Sequence, residues 1–223
     1  MTILTIMAVV ILAASFGLFA KITKNFRPNK KKIQQEIANL KADMDKWVGE
    51  LVPITREELE LFSKSQIQQS RSKRTRTSFK GTFKTIFEEP IVAYSYRSYL
   101  GKGNHAILYA RTANHEFAYW MNDKGTQVVI DNEMIGTIKA NDVLYGANSN
   151  RMLARLNRNQ KDMLPIMVKD REVGSLVKGL PSPKEALSSR AFEFIKQDLN
   201  EEEQTLMLSL GILEMVKLSN DQT

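Results

Sequence analysis

The sequence predicts a mainly β domain of about 10–12 short antiparallel strands, closed into a barrel around a hydrophobic C-terminal helix. Between Phe79 and Lys178, short alternating segments rich in β-branched and aromatic residues are separated by Gly, Asn and Asp. An apolar stretch at 206–218 then ends the chain's structured part. An N-terminal transmembrane helix and a short amphipathic helical arm are predicted to precede this domain.

The C-terminal helix is predicted to be buried because residues 206–213 are apolar on nearly every helical face, whereas a surface helix keeps a polar back. Thirteen residues are also too few to span a bilayer, which takes about 20. Asn200 and Glu203 form a capping-box pattern at its start. A helix packed on one side of an open sheet is the alternative. The residues expected to be buried are Leu206, Leu208, Leu210, Ile212, Leu213 and Val216.

The strands follow one another so closely that they predict an antiparallel meander and not βαβ crossovers. Two similar segments, Ile135-Gly136-Thr137-Ile138 and Val173-Gly174-Ser175-Leu176, suggest equivalent hairpins in which glycine allows something inside to approach closely. The predicted strands are Thr82–Phe87, Ile91–Arg97, Ala106–Arg111, Glu116–Met121, Thr126–Ile130, Met134–Lys139, Val143–Gly146, Met152–Asn157, Met163–Val168, Glu172–Val177 and Arg190–Ile195.

The N-terminal residues 1–20 are predicted to be a transmembrane anchor. Residues 3–20 form an uncharged run that approaches the ~30 Å hydrocarbon thickness as a helix. A cleaved signal peptide is the alternative, but it should carry positive charge before its apolar core. Here the cations follow the run, so the positive-inside rule places the N-terminus outside and the rest of the chain in the cytoplasm.

Residues 21–77 are predicted to be a basic juxtamembrane arm and linker. Apolar residues at heptad spacing indicate an amphipathic helix from Lys30 to Leu51. This stripe could bind a partner helix, self-associate, pack on the domain or lie at the membrane surface. A capping box at Thr55-Arg56-Glu57-Glu58 opens a short helix, and Ser63 to Ser78 is interpreted as a polybasic tether attracted to anionic headgroups, as a solvated linker, or as both. The stripe consists of Ile33, Ile37, Leu40, Met44, Trp47 and Leu51.

The excess positive charge of the chain lies in this arm. Residues 1–77 contain 14 Lys+Arg and 7 Asp+Glu, whereas residues 78–223 contain 18 of each. Juxtamembrane cations are attracted to anionic phospholipid headgroups. The residues expected to contact headgroups are Lys21, Lys24, Arg27, Lys30, Lys31, Lys32, Arg71, Lys73, Arg74 and Arg76.

Motifs of enzyme chemistry are not evident in the sequence, and no cofactor or metal is predicted. The chain has no cysteine, no phosphate-binding loop and no nucleophile elbow. His105 and His115 flank a predicted strand without further metal-ligand spacing. The tyrosines around Tyr94–Tyr119 and Trp120 belong to a charge-neutral domain, so they predict core and barrel wall instead of a nucleic-acid surface.

The layout of residues 79–218 resembles the tubby C-terminal-like superfamily, especially its phospholipid-scramblase and plant LURP-one-related branches. The resemblance rests on the two glycine-containing segments above, on Asp198-Leu199-Asn200-Glu201-Glu202-Glu203, and on the apolar helix Leu206–Val216. It implies a closed antiparallel barrel threaded by that helix. The chain lacks the cysteine cluster, the proline-rich N-terminal region and the acidic calcium loop of animal scramblases, so calcium dependence and lipid scrambling are not implied.

Together these features predict a non-enzymatic, single-pass membrane protein that holds the barrel of residues 78–223 at the cytoplasmic leaflet. There it would bind phospholipid or a membrane partner. The alternative is an oligomeric assembly module that uses the heptad helix.

Overall fold

A computed structural model describes residues 30–73, 76–99, 105–179 and 189–220. The predicted transmembrane segment lies outside these ranges. Within them, no helix is both long enough and apolar enough to cross a membrane.

The domain is a nearly closed antiparallel barrel of twelve strands in which each strand pairs with its sequence neighbours. The first and last strands approach each other, since Ala191 N–H donates to the Phe62 carbonyl at 2.7 Å and Ser63 bridges Arg190. The strands are β1 (Phe62–Lys73), β2 (Arg76–Thr85), β3 (Pro90–Tyr99), β4 (His105–Arg111), β5 (Glu116–Asn122), β6 (Gly125–Ile130), β7 (Glu133–Ile138), β8 (Val143–Gly146), β9 (Met152–Leu156), β10 (Met163–Val168), β11 (Arg171–Val177) and β12 (Phe192–Ile195).

Among the described residues, four helices accompany the barrel. Three precede it: α1 (Lys30–Ala42), α2 (Asp45–Val48) and α3 (Arg56–Glu60). The fourth, α4 (Glu201–Asn220), follows β12. Every residue of α4 from Leu206 to Val216 is buried, so no face of this part meets solvent.

The start of α4 has the predicted capping box. Asn200 Oδ1 accepts from Glu203 N–H at 2.9 Å, and Glu203 Oε2 accepts from Asn200 N–H at 3.1 Å. Midway along the helix, the buried Tyr119 hydroxyl donates to the Ser209 carbonyl at 2.8 Å. Nearer its end, Arg158 forms two hydrogen bonds with the buried carboxylate of Glu214, at 2.7 and 2.9 Å.

The prediction of a linker at Ser63–Ser78 is wrong. This segment forms most of β1 and the start of β2, which pair from Phe62↔Thr85 to Lys73↔Arg76. Its Ser, Gln, Lys and Arg residues carry little of the apolar alternation that marks a strand in sequence. Strand β1 pairs with β2, and β2 pairs with β3. This backbone pairing forms the strand although its side-chain pattern does not indicate one.

The heptad stripe packs on the outer face of the chain's own sheet. Leu40 and Met44 are fully buried against a cluster that includes Ile107 and Tyr109 of β4. The helix itself is shorter than predicted, because α1 ends at Ala42 and α2 begins at Asp45. The capping box of α3 is present, with Glu58 N–H donating to Thr55 Oγ1.

The two predicted glycine positions differ in what they approach. A Cβ on Gly174 would lie 2.8 Å from Met207 Sδ of α4, so this glycine does allow the inner helix to come close. A Cβ on Gly136 would lie 2.0 Å from the Tyr145 carbonyl oxygen, which belongs to the neighbouring strand β8. Only Gly174 therefore serves the interior, and the expectation for Gly136 is wrong.

We expect Leu210→Asp to unfold the domain, because it places an unpaired carboxylate at a fully buried position of α4. Domains of this kind are stable by only about 5–15 kcal/mol. Leu210→Met, which conserves volume, should cost less than about 1.5 kcal/mol. Urea unfolding followed by circular dichroism distinguishes the two. An aspartate variant as stable as the wild type would mean that α4 is not enclosed.

We expect Leu40→Ala to lower the free energy of unfolding by about 2–5 kcal/mol, since it opens a cavity beneath α1. Gln35→Ala, on the exposed face of the same helix, is the matched control. Urea unfolding and light scattering are measured together. Unchanged stability with a fall from oligomer to monomer would instead make the stripe an interface between chains.

Candidate functional site

A groove of about 590 Å³ opens at one end of the barrel, beside the first turns of α4. Met134, Ile135, Leu153 and Leu206 contribute apolar surface to it. The complete lining consists of Ile130, Asp131, Glu133, Met134, Ile135, Gly146, Ala147, Asn148, Ser149, Leu153, Glu201, Glu202, Thr205 and Leu206, four of which are acidic and none basic.

The groove exists because the barrel wall is incomplete at this point. Strand β8 pairs with β7 only at Gly136, Thr137 and Ile138. One further bond joins Ala147 N–H to the Ile135 carbonyl at 2.9 Å, after which the chain turns away into β9. The first residues of β7 therefore have no strand beside them on this side, and the start of α4, at Glu201, Glu202 and Thr205, is accessible through the gap.

The carboxylates around the groove differ in their partners. Glu202 pairs with Lys169 at 3.0 Å, but both side chains are more than half exposed, so this ion pair is weak. Asp131 accepts from Glu116 N–H at 2.8 Å and lies 2.7 Å from His115 Nδ1. Glu133 and Glu201 have no ion-pair partner among the described residues. The rim of the groove thus has a negative potential.

The pKa of Asp131 is lowered. Burial alone would raise the pKa of this carboxyl, but the hydrogen bonds from Glu116 N–H and His115, together with the attraction of the imidazole, favour the charged form. Asp131 therefore stays negative over a wider pH range than a free aspartate.

A smaller polar pocket of about 240 Å³ adjoins the groove through Glu201 and Thr205. His115 lines it, and its Nδ1 is held by Asp131. The nearby Thr112 hydroxyl accepts from the N–H groups of Asn114 and His115 and so serves the turn. Among the described residues, no nucleophilic side chain hydrogen-bonds to the His115 ring.

The two histidines, for which no metal site is predicted, lie at opposite ends of one strand. His105 begins β4 and His115 follows its end, so the strand separates them. No group of three or more His, Asp or Glu side chains within the described ranges could hold a metal ion.

The predicted lipid-binding residues fall into two groups and an undescribed remainder. Lys30, Lys31 and Lys32 form the first turn of α1. Arg71 and Lys73 lie near the end of β1, and Arg76 begins β2. Lys21, Lys24, Arg27 and Arg74 lie outside the described residues.

Both groups lie toward the same end of the barrel, which we call the hairpin end: the end of β1 at Lys73, the start of β2 at Arg76, and their neighbours Tyr99 and His105. Along α1, Glu36 pairs with Arg97, whereas Lys41 pairs with Glu116 at 2.6 Å. Glu116 lies opposite the end of β4, and the end of β4 lies opposite the first half of β3, away from Tyr99. The first turn of α1 therefore points toward the hairpin end.

The predicted partner-helix stripe packs against strands of the same chain. The aromatic residues of the domain also pack within it. Tyr94 and Tyr119 are buried inside the barrel, whereas Tyr109 and Trp120 face outward beneath α1. These residues are core and wall, as the neutral charge of the domain predicts.

Comparisons of the chain with protein-family models, with curated proteins and with solved structures yield no match.

The acidic groove was not predicted from the sequence. The sequence predicts no binding role for the pair Asp131 and Glu133 or for the pair Glu201 and Glu202. The two pairs are about 70 residues apart, and only the closure of the barrel brings them together. The only signal in the sequence is the turn pattern Asp131-Asn132-Glu133 before an apolar residue, and such turns are common in hairpins.

We expect Asp131→Asn to remove a stabilising contribution that depends on pH. Since the folded pKa lies below the ordinary value of 3.8, this contribution is full above that pH and is lost as the pH falls through the folded pKa. The carboxyl is 48% exposed, so we expect about 0.5–1 kcal/mol at pH 7.

Urea unfolding at pH 7 and pH 3 measures this effect. The difference between wild type and variant should shrink at the lower pH. Asp123→Asn, in the exposed β5–β6 turn, is the control. A difference that is the same at both pH values would contradict the assignment.

Proposed function

We propose that this chain is a non-enzymatic, single-pass membrane protein whose barrel is held at the cytoplasmic leaflet, with the hairpin end against anionic phospholipid headgroups. The anchor at residues 1–20, with the N-terminus outside, is taken from the sequence. The observation that supports the orientation is the common location of two basic groups that are about 40 residues apart in sequence.

The first basic group follows the predicted anchor in the sequence. Lys30–Lys32 begin α1, and the rest of α1 is fixed to the barrel by Leu40 and Met44. The ion pair of Arg97 with Glu36 adds a polar attachment. An anchor joined to this helix would therefore enter the membrane from the hairpin end.

The second basic group is the tip of the β1–β2 hairpin. Backbone pairing carries Arg71, Lys73 and Arg76 to the same end, beside Tyr99. Cations near an anionic surface each contribute about 1 kcal/mol, and this attraction falls off within a Debye length. Bringing both groups to one surface therefore lets their contributions add.

The barrel has features expected of a binding module and not of an enzyme. Its interior is filled by α4, so little room is left for a substrate there. A twelve-stranded barrel with a C-terminal helix is also the architecture that the tubby-like resemblance implies, and membership of that superfamily is part of this proposal. The assembly alternative is less well supported, because the heptad stripe is covered by strands of the same chain.

We expect residues 21–223 to co-sediment with vesicles containing phosphatidylserine, and not with neutral phosphatidylcholine vesicles, in a salt-sensitive manner. Changing Lys73, Arg74 and Arg76 to Gln should weaken partitioning by about 100-fold, at ~1 kcal/mol for each of the three charges.

The matched control changes Arg151, Arg155 and Lys169 to Gln, which removes the same charge elsewhere on the barrel. Equal losses of vesicle binding in the two triple variants would mean that binding depends on net charge and not on the hairpin end. Absence of binding to either vesicle would refute the lipid proposal.

A further inference from the structure

We infer that the groove beside α4 is a docking site for a protein segment that carries cationic and apolar side chains. This inference does not depend on lipid binding at the hairpin end. It rests on the shape of the groove, on its apolar floor and on its charge.

The floor of the groove is apolar and partly uncovered. Leu206 belongs to the buried part of α4, and Ile135 and Leu153 pack against the main core at its margin. Met134 is 39% exposed, which makes it one of only three large hydrophobic side chains exposed to this degree among the described residues. A flexible thioether suits a surface that must adapt to a binding segment.

The charge of the rim selects the partner. Asp131, Glu133, Glu201 and Glu202 surround apolar surface, and no lysine or arginine is part of the described lining. Of these four carboxylates, only Asp131 and Glu202 have a partner in this part of the chain. Complementary charge therefore favours Lys or Arg side chains next to apolar ones.

The backbone at the groove also accommodates an extended segment. Beyond the bond from Ala147 N–H to the Ile135 carbonyl, Glu133 and Met134 have no strand on the groove side. A short segment lying along them would close the gap in the barrel wall. Strand addition of this kind is a recurring mode of peptide recognition.

The position of the groove agrees with this role. The β4–β5 and β6–β7 turns and the start of α4 lie at the end opposite the hairpin end, since the strands run antiparallel. With the hairpin end at the membrane, the groove would face away from the bilayer and remain accessible to a protein.

The test uses the full chain in neutral phosphatidylcholine nanodiscs and a labelled nine-residue peptide of alternating Lys and Leu with blocked ends. Peptides alternating Lys with Ser, and Glu with Leu, are the probe controls. Fluorescence anisotropy should show that the Lys-Leu peptide binds and that the two control peptides do not. Glu133→Lys with Glu201→Lys should weaken it at least tenfold, and Met134→Ser at least threefold.

The charge-matched control is Asp123→Lys with Glu193→Lys, two exposed acidic positions outside the groove. It should keep wild-type affinity to within about twofold. An equal loss in both double variants would mean general charge attraction and would overturn the inference, as would failure of the wild type to bind. Self-association that disappears in the groove variant, without peptide binding, would make a second copy the occupant and would also overturn it.

Discussion

The burial of α4 is the constraint on which the rest of the structure depends. Eleven consecutive residues, from Leu206 to Val216, are buried, so this helix cannot exist as a solvated element. Strands β2 to β12 supply inward-facing side chains around it, and alternation then leaves the outward face of β3–β5 partly apolar. Helix α1 covers that outer face. The arm and the barrel are thus layers around one central helix.

Much of this arrangement could be predicted because burial has a strong signature in sequence. The apolar run of α4, its capping box and eleven of the strands follow from periodicity and turn residues. Strand β1 could not be predicted, because it is ordered by backbone pairing while residues such as Gln68 and Ser70 lack apolar alternation. The acidic groove was also inaccessible, since Glu133 and Glu201 meet only after the barrel has formed.

The two ends of the barrel differ in chemistry. Residues 78–223 are neutral, and the five cations of residues 62–77 make the whole barrel basic. The hairpin end has the basic residues of β1 and β2, and the opposite end has the carboxylates around α4. The proposed lipid-contact surface and the proposed docking groove therefore lie at opposite ends of the barrel.

The hydrogen bonds inside the barrel have a mechanical consequence. Close packing of apolar side chains holds an enclosed helix in place, but apolar contacts are not directional. The bond from the Tyr119 hydroxyl to the Ser209 carbonyl is directional, and so is the fork between Arg158 and Glu214. A slip by one residue would break both and leave buried polar groups unpaired. These contacts set the axial register of α4, and with it the position of Thr205 and Leu206 in the groove.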